Sequence, residues 1–324
     1  MTVPKKKIIV TRRLPERVQR KLAEHFDPVF NELDVPMTSD QISDALCNCD
    51  GLLPTVTDKV DGTALQGPIA AKIIANYGVG YSHIDIDAAR TVGLCVTNTP
   101  DVLSECTADI AMTLMLMCAR RAGEGERELR AGRWAGWRPT HLIGAKLSGK
   151  TLGIVGFGRI GQETAKRANH GFGMKVIVQN RSQVPPDRLA ACAARQVQSL
   201  DELLAEADFV SLHCPGGHAN QHLINAKAIS AMKPGSFLIN SARGEGVDDI
   251  ALAEALQNGH LGGAGLDVFD GEPKIRPELL ACDNAVLLPH LGSATAETRD
   301  EMGFRAIDNL IAFFDGKVPP DRIV

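Results

Sequence analysis

Short apolar runs alternate with amphipathic stretches along the chain. In the first hundred residues, strands are predicted at KKIIVTR, GLLPTV, AKIIANYGVG and LCVTNTP, and helices at PERVQRKLAEHF, TSDQISDALCNC and DIDAARTVG. A Thr38-x-x-Gln41 capping box marks the start of the second helix. Strands that alternate with helices predict a parallel sheet covered on both faces.

A second alternation of strands and helices begins at Thr151. Before it come an apolar helix predicted over 104–121 and a segment that contains Trp134 and Trp137. The predicted strands are TLGIVG, KVIVQN, DFVSLHC, SFLINSA, GAGLDVF and AVLLPH. The last predicted element is the amphipathic helix ETRDEMGFRAIDNLIAFFDG. The pattern predicts a second parallel α/β unit.

Length and charge narrow the classes of function. The 324 residues are enough for two domains, and the formal charge of −4 gives no reason to expect nucleic acid or an anionic membrane as a partner. The most apolar run, ADIAMTLMLMCA, contains Asp109 and is too short to cross a bilayer. The basic start, MTVPKKKIIVTRR, lacks the apolar core of a signal peptide. We expect no membrane association.

The eight cysteines are spaced irregularly, without a C-x-x-C or a His/Cys pattern of the kind that binds zinc. This favours free thiols in a reducing cytoplasm and no metal.

A glycine loop suggests a nucleotide cofactor. Gly156-x-Gly158-x-x-Gly161 follows a predicted strand directly and precedes a helix. Glycines at these positions allow a tight turn, close approach of a pyrophosphate and close packing of helix on sheet. The pyrophosphate would lie at the helix N-terminus. In this setting the loop predicts a dinucleotide site.

The tip of the next strand indicates which dinucleotide binds. An acidic residue is expected there to bind the ribose hydroxyls, but the chain has Asn180, Arg181 and Ser182. Asn180 removes the repulsion of a 2′-phosphate, Arg181 can pair with that phosphate, and Ser182 offers a hydroxyl. We therefore predict NADP(H) in preference to NAD(H). The alternative is a solvent-facing arginine in a turn.

Three ionisable residues follow three later strands: Arg243, Glu272 and His290. Ligands of doubly wound sheets bind beyond the carboxyl ends of the strands. Arg243 could hold a carboxylate and polarise a keto oxygen, and His290 could donate a proton while hydride arrives from a nicotinamide. Glu272 would favour the charged imidazole and fix its tautomer. Each residue alone has an ordinary structural explanation; together they suggest reduction of a 2-keto acid.

Nearly the whole chain resembles the D-isomer-specific 2-hydroxyacid dehydrogenases, in particular their glyoxylate/hydroxypyruvate reductase and glycerate dehydrogenase branch. The matching stretches are ANYGVGYSHIDIDAAR, LSGKTLGIVGFGRIGQETAKRA, INSARGEGVDD, GGAGLDVFDGEP and LLPHLGSAT. The resemblance implies a Rossmann-type doubly wound domain, 101–289, inserted into a flavodoxin-like α/β substrate domain, 1–100 plus 290–324. It also implies Arg243, Glu272 and His290 as the catalytic set.

The resemblance extends to the residues that bind small molecules. Substrate would contact the backbone amides of Val79 and Gly80, together with Arg243 and His290. Ala242 and Asp267 would contact the nicotinamide amide. The cofactor set it implies is Thr107, Gly156, Gly158, Arg159, Ile160, Gly161, Asn180, Arg181, Ser182, Pro215, Ser241, Ala242, Asp267, His290 and Gly292.

The resemblance further implies a homodimer formed by helix 104–121 and the Trp134/Trp137 segment. Trp137 would close the active site of the partner, or would serve only as an interface aromatic. The chain departs from the family at CPGGHANQH, where Gly217 replaces a threonine that often bonds the cofactor. Side-chain contacts in that loop are therefore in doubt, although Pro215 is kept.

Two other functions remain as alternatives. A D-lactate-type dehydrogenase resembles the same fold, but that branch typically uses NAD and has an acid where Asn180 stands. A non-catalytic NAD(H)-sensing corepressor also resembles the fold, although such proteins carry added interaction tails. Residue types do not fix substrate size, because one methylene is worth only about 1–3 kcal/mol of discrimination.

Overall fold

The computed structural model describes residues 4–324 and divides into two compact units. The first unit contains the chain up to Leu103 together with Ala294–Val324, and the second contains Ser104–Ser293. The second junction falls after Ser293, rather than at 290 as the sequence suggested. Residues 290–293 belong to the second unit, in which the Asp267 carboxylate accepts hydrogen bonds from the N–H groups of Leu291 and Gly292.

The strands and helices are numbered separately along the chain. The strands are β1 (Lys7–Val10), β2 (Asp27–Phe30), β3 (Gly51–Leu53), β4 (Ile73–Ala75), β5 (Cys95–Thr97), β6 (Thr151–Val155), β7 (Lys175–Gln179), β8 (Ala194–Gln196), β9 (Phe209–Leu212), β10 (Phe237–Asn240), β11 (Gly263–Leu266) and β12 (Ala285–Leu287). The helices are α1 (Glu16–His25), α2 (Ser39–Cys47), α3 (Ile86–Thr91), α4 (Ser104–Ala119), α5 (Ala122–Arg130), α6 (Arg159–Lys166), α7 (Pro186–Ala190), α8 (Leu200–Glu206), α9 (Ala226–Ala231), α10 (Asp249–Gln257), α11 (Pro277–Leu280) and α12 (Ala296–Phe314).

The first unit is built on a parallel five-stranded sheet in the order β2-β1-β3-β4-β5. This is the flavodoxin-like order, as predicted. The predicted capping box is also present, because Thr38 Oγ1 accepts from the N–H of Gln41 at 3.3 Å and Gln41 Oε1 accepts from the N–H of Thr38 at 2.9 Å. In α12, Gly303 lets that helix lie directly against Val18 of α1.

The second unit is built on a parallel seven-stranded sheet in the order β12-β11-β10-β9-β6-β7-β8. Strands β6, β9 and β10 are buried along their whole length, and Phe209 stacks on its registered neighbour Phe237 with ring centroids 4.7 Å apart. Consecutive strands run outward on both sides of β6, as in a doubly wound sheet. The predicted Rossmann-type fold class is confirmed, and ligands of such sheets bind where the order reverses.

Local structure departs from the sequence-based expectation in three places. Strands β2 and β8 were not predicted. The predicted helix 104–121 instead ends at Ala119, and α5 begins after Arg121. Arg121 adopts a left-handed φ of 51°, and its guanidinium pairs with Glu124 at 2.6 Å in the new helix. Within residues 4–324, no helix combines the length and apolar character that crossing a membrane requires.

Candidate active site

The glycine loop forms a tight connection between β6 and α6. Gly156 has a φ of 91°, and a Cβ there would lie 2.8 Å from the backbone nitrogen of Cys214. A side chain at Gly161 would collide with the carbonyl oxygen of Gly156, so this glycine lets α6 pack close to the sheet. Gly158 is the N-cap of α6, and a Cβ there would meet nothing within 4 Å. The open space at the helix N-terminus, continued by Arg159 and Ile160, fits a pyrophosphate.

At the tip of β7, the side chain of Asn180 stabilises the glycine loop. Its Oδ1 accepts from the N–H of Phe157 at 3.2 Å, and its Nδ2 donates to the carbonyl oxygen and Oγ of Ser182, both at 3.1 Å. The sequence had suggested only that Asn180 removes a negative charge. In the structure it also fixes the loop, and the Ser182 hydroxyl keeps its own hydrogen for another acceptor.

Arg181 is exposed, and within residues 4–324 it makes no hydrogen bond or ion pair. Burial raises the pKa of the Cys214 thiol, and the charge of Arg181 opposes that rise. This guanidinium is available to pair with an anion in a fork geometry.

Glu272 and His290 lie together beyond neighbouring strands β11 and β12. Glu272 Oε2 and His290 Nδ1 are 2.9 Å apart, and Glu272 Oε1 accepts from the N–H of Phe269 at 3.2 Å. Burial alone would raise the pKa of Glu272, but the hydrogen bond and charge of His290 bring it below its ordinary value. An ionised Glu272 accepts the Nδ1–H of His290, so Nε2 is the imidazole nitrogen that can exchange a proton with substrate.

The backbone of His290 is held in an uncommon conformation. Its φ is 55°, in the left-handed region that few non-glycine residues adopt. Its N–H donates to the carbonyl oxygens of Asp267 at 3.0 Å and Leu288 at 3.1 Å, and the two residues that follow are bound by the Asp267 carboxylate. Left-handed outliers persist where their surroundings fix them, and they concentrate at active sites.

Arg243 lies beyond β10, in the turn that Asn240 closes. Asn240 Nδ2 donates to the Arg243 carbonyl oxygen at 2.9 Å, and Asn240 Oδ1 accepts from the N–H of Ala242 at 3.0 Å. Burial lowers the pKa of Arg243, while the carboxylates of Glu272 and Glu245 oppose that change. The guanidinium remains a cation, and its Nη1 donates to the Ala242 carbonyl oxygen at 2.7 Å.

The Asp267 carboxylate binds the backbone N–H groups of the two residues after His290. Its two oxygens accept from Leu291 at 2.6 Å and Gly292 at 2.7 Å, and burial raises its pKa. Thr107 Oγ1 donates to the Gly292 carbonyl oxygen at 2.9 Å. Near this group, Ser241 Oγ is buried and has no hydrogen-bond partner among residues 4–324. An orphaned buried hydroxyl at this edge of the sheet fits a bound cofactor.

The loop after β9 is stabilised by Glu245, a residue that the sequence analysis did not identify. Glu245 Oε1 accepts from the N–H of Gly217, which has a φ of 101°, and Asn220 Nδ2 donates to the Pro215 carbonyl oxygen at 2.7 Å. A side chain at Gly216 would collide with the Glu245 carboxylate. In this chain a carboxylate therefore fixes the loop that lacks the family's threonine.

The remaining predicted residues lie elsewhere. Val79 and Gly80 form a half-buried turn after β4, in the first unit. Trp137 belongs to the segment after α5, and 83% of its side chain is exposed within its own chain. Across residues 4–324 no group of acidic, histidine or cysteine side chains could hold a metal ion.

Comparisons with known proteins agree with this architecture. Residues 112–292 match the family model described as D-isomer specific 2-hydroxyacid dehydrogenase, NAD binding domain. The chain is 42% identical over 323 residues to a glyoxylate reductase of Thermococcus onnurineus, which covers 98% of this chain and 96% of the relative. It is 39% identical over 313 residues to a glycerate dehydrogenase of Hyphomicrobium methylovorum, covering 96% and 97% respectively.

Solved structures of two reductases are also similar to this chain over nearly its whole length. One is an NADPH-dependent glyoxylate/hydroxypyruvate reductase from Sinorhizobium meliloti in complex with NADP and malonate, with a TM-score of 0.87, 33% identity and coverage of 99% of this chain and 97% of that chain. Another is a glyoxylate reductase from Paecilomyes thermophila, with a TM-score of 0.87, 31% identity and 99% coverage of both chains.

Proposed function

Because the chain belongs to the D-isomer-specific 2-hydroxyacid dehydrogenase family, we propose that it reduces glyoxylate to glycolate and hydroxypyruvate to D-glycerate, with NADPH as the hydride donor. Family membership and relatives named glyoxylate reductase and glycerate dehydrogenase support an NAD(P)-dependent oxidoreductase of small 2-keto acids. The pairing of Glu272 with His290 at 2.9 Å, one strand from Arg243, is the observation that carries the proposal.

The proposed chemistry divides between three side chains. A bound nicotinamide supplies hydride to C2 of the keto acid. Arg243 binds the substrate carboxylate and polarises the keto oxygen with its planar fork. His290 gives the Nε2 proton to that oxygen as charge develops on it and becomes neutral, and Glu272 stabilises the imidazolium beforehand. The backbone amides of Val79 and Gly80 also bind the carboxylate.

Initial rates test this function directly. Purified protein is mixed with glyoxylate or hydroxypyruvate and either NADPH or NADH, and the loss of reduced nicotinamide is followed by absorbance. We expect turnover of both keto acids, faster with NADPH. Turnover of pyruvate alone would favour a D-lactate-type enzyme, and no turnover of any keto acid with either cofactor would contradict the proposed activity.

The cofactor preference is assigned to Arg181, with Ser182 beside it. We expect Arg181→Ala to raise the KM for NADPH about 10- to 100-fold, because a hydrogen-bonded charge pair contributes about 1.5–3 kcal/mol. The KM for NADH should stay nearly unchanged, since NADH has no 2′-phosphate. Arg188→Ala removes another exposed arginine, from α7, and is the matched control. Equal losses for both cofactors would show that Arg181 has only a structural role.

We further propose a homodimer in which a second copy covers α4 and the segment after it. That segment exposes large apolar side chains, which are Leu129 at 60%, Trp134 at 52%, Trp137 at 83% and Ile143 at 65%. Exposed apolar groups that lie close along the chain are typical of an interface. In the proposed dimer, Trp137 closes the active site of the partner.

Sedimentation velocity tests the dimer. We expect wild-type protein to sediment as a dimer and a Trp134→Ala/Trp137→Ala variant to shift towards monomer with lower kcat/KM. Val318→Ala, which alters a residue 74% exposed in the first unit, is the control. A monomeric wild type would contradict the proposed assembly. None of the cysteines within residues 4–324 forms a disulfide, and we propose that the enzyme works in a reducing cytoplasm.

A further inference from the structure

In the turn after β4, several peptide N–H groups have no acceptor among residues 4–324, and those of Val79 and Gly80 belong to half-buried residues. Within residues 4–324, the backbone amides of Val79 and Gly80 make no hydrogen bond. Unpartnered backbone N–H groups can donate hydrogen bonds to an anion such as a carboxylate.

Asn76, a fully buried residue at the start of this turn, makes three side-chain hydrogen bonds. Its Nδ2 donates to the carbonyl oxygens of Gly78 and Gly80, both at 2.9 Å. Both amide hydrogens are thereby used, so Asn76 Oδ1 is the acceptor towards His83 Nε2 at 3.0 Å, and His83 is the donor. One side chain therefore fixes two peptide groups of the turn.

The other groups of the turn are held as well. Asn98 Nδ2 donates to the Val79 carbonyl oxygen at 2.8 Å, and the Gly78 carbonyl oxygen also accepts from the N–H of Thr99 at 3.1 Å. Tyr77 OH donates to the Arg299 carbonyl oxygen at 2.6 Å. Three consecutive carbonyl oxygens, those of residues 78–80, are bound by protein donors. The N–H groups of Val79 and Gly80 remain available to a ligand.

We propose that Asn76 is a positioning residue for substrate: by binding the Gly78 and Gly80 carbonyl oxygens it fixes the peptide group that carries the Val79 amide and the peptide group that follows the Gly80 amide, and these two amides bind the carboxylate of the 2-keto acid. The inference rests on the proposed function, and it adds a side chain that does not itself touch substrate. Without Asn76, the carbonyl oxygen of Gly80 loses its donor and that of Gly78 keeps only the N–H of Thr99, so the peptide groups on both sides of the Gly80 amide are held less firmly. The amides of Val79 and Gly80 then no longer converge on one anion.

Steady-state kinetics and ligand binding test the proposal together. We expect Asn76→Ala to raise the KM for glyoxylate about 10- to 100-fold, because small misplacements of binding groups can cost up to about 100-fold. The dissociation constant of oxamate, an isosteric analogue that cannot be reduced, should rise by a similar factor in the presence of NADPH. The KM for NADPH should stay unchanged, since the turn is assigned only to the carboxylate.

Three further variants sharpen the test. Asn76→Asp keeps the shape but cannot donate to both carbonyl oxygens, so it should fail as Asn76→Ala does; Asn76→Ser keeps one donor and should fall between. Asn48→Ala removes an amide that donates to the Asp44 carbonyl oxygen at 2.8 Å in the same unit, and it should leave both constants unchanged. If Asn76→Ala does not fold, the KM for glyoxylate and the dissociation constant of oxamate measured with Asn76→Asp and Asn76→Ser test the proposal.

Unchanged glyoxylate KM and oxamate affinity in folded Asn76 variants would overturn the inference. Equal weakening of NADPH and oxamate would also overturn it, because that result indicates general destabilisation. If wild-type protein binds oxamate but reduces neither glyoxylate nor hydroxypyruvate, the proposed function fails. In that case weaker oxamate binding by Asn76→Ala would still support the role of Asn76 at the anion-binding turn.

Discussion

Replacement of His290 by alanine is expected to lower kcat for glyoxylate reduction about 10²- to 10⁴-fold, the usual contribution of a positioned general acid. The imidazole is the group that can pass a proton to the keto oxygen, with Glu272 at 2.9 Å on its other nitrogen. Binding of NADPH should persist, because the glycine loop and the tip of β7 do not depend on the imidazole. The measurement is kcat from initial rates, with NADPH affinity determined separately.

The backbone conformation of residue 290 calls for a second variant. His290 has a left-handed φ of 55°, and alanine in that region costs roughly 1–2 kcal/mol. Asparagine tolerates the conformation, so His290→Asn removes the proton donor with less strain. Glu272→Gln, which retains a hydrogen-bonding group without the charge, should lose about 10- to 100-fold in activity. Turnover near the wild-type rate in folded His290→Asn would remove His290 from the mechanism.

Replacement of Arg243 by alanine is expected to lower kcat/KM for glyoxylate about 10²- to 10³-fold, as for loss of a donor that stabilises developing charge. Arg243 is half-buried, so its charge is screened less than a surface charge, and this burial lowers its pKa. The turn around it is held by Asn240 and should survive the substitution. Initial rates against glyoxylate concentration provide the measurement.

A lysine variant distinguishes the effect of the positive charge at position 243 from that of the planar guanidinium group. Arg243→Lys keeps a cation but loses the planar fork, so it should recover only part of the activity. Full activity would mean that the charge alone is needed, and wild-type kcat/KM in Arg243→Ala would exclude Arg243 from substrate binding. Arg276→Ala, a substitution at the N-cap of α11, is a control of the same side-chain type.

The interior strands could be predicted from sequence, whereas two of the four edge strands, β2 and β8, could not. β6, β9 and β10 are mostly apolar and buried throughout because both faces of the sheet are covered. β2 contains Pro28 and alternates between half-buried and exposed positions, and β8 has only three residues, none of them buried. Each pairs with one neighbour, and such short edge strands have little apolar pattern of their own.

The residues of the candidate site likewise fall into two groups, those that the sequence predicted and those that it did not. Arg243, Glu272 and His290 each follow a strand, so the rule that ligands bind at the carboxyl ends of strands suggested them from sequence. Contacts between a side chain and a distant backbone group leave no such pattern. Asn180 reaches the N–H of Phe157, 23 residues away, and Glu245 reaches Gly217, 28 residues away. Asn76 acts within its own turn, but its hydrogen bonds depend on a backbone conformation that residue types do not specify.

Transfer of a labelled hydride tests the central claim most directly. Hydroxypyruvate is reduced with NADPH that carries two deuterium atoms at C4 of the nicotinamide, and the product is analysed by mass spectrometry and chiral chromatography. The account predicts D-glycerate with one deuterium at C2, formed by wild-type protein and lost in His290→Asn. L-glycerate, or D-glycerate without deuterium at C2, would contradict the account.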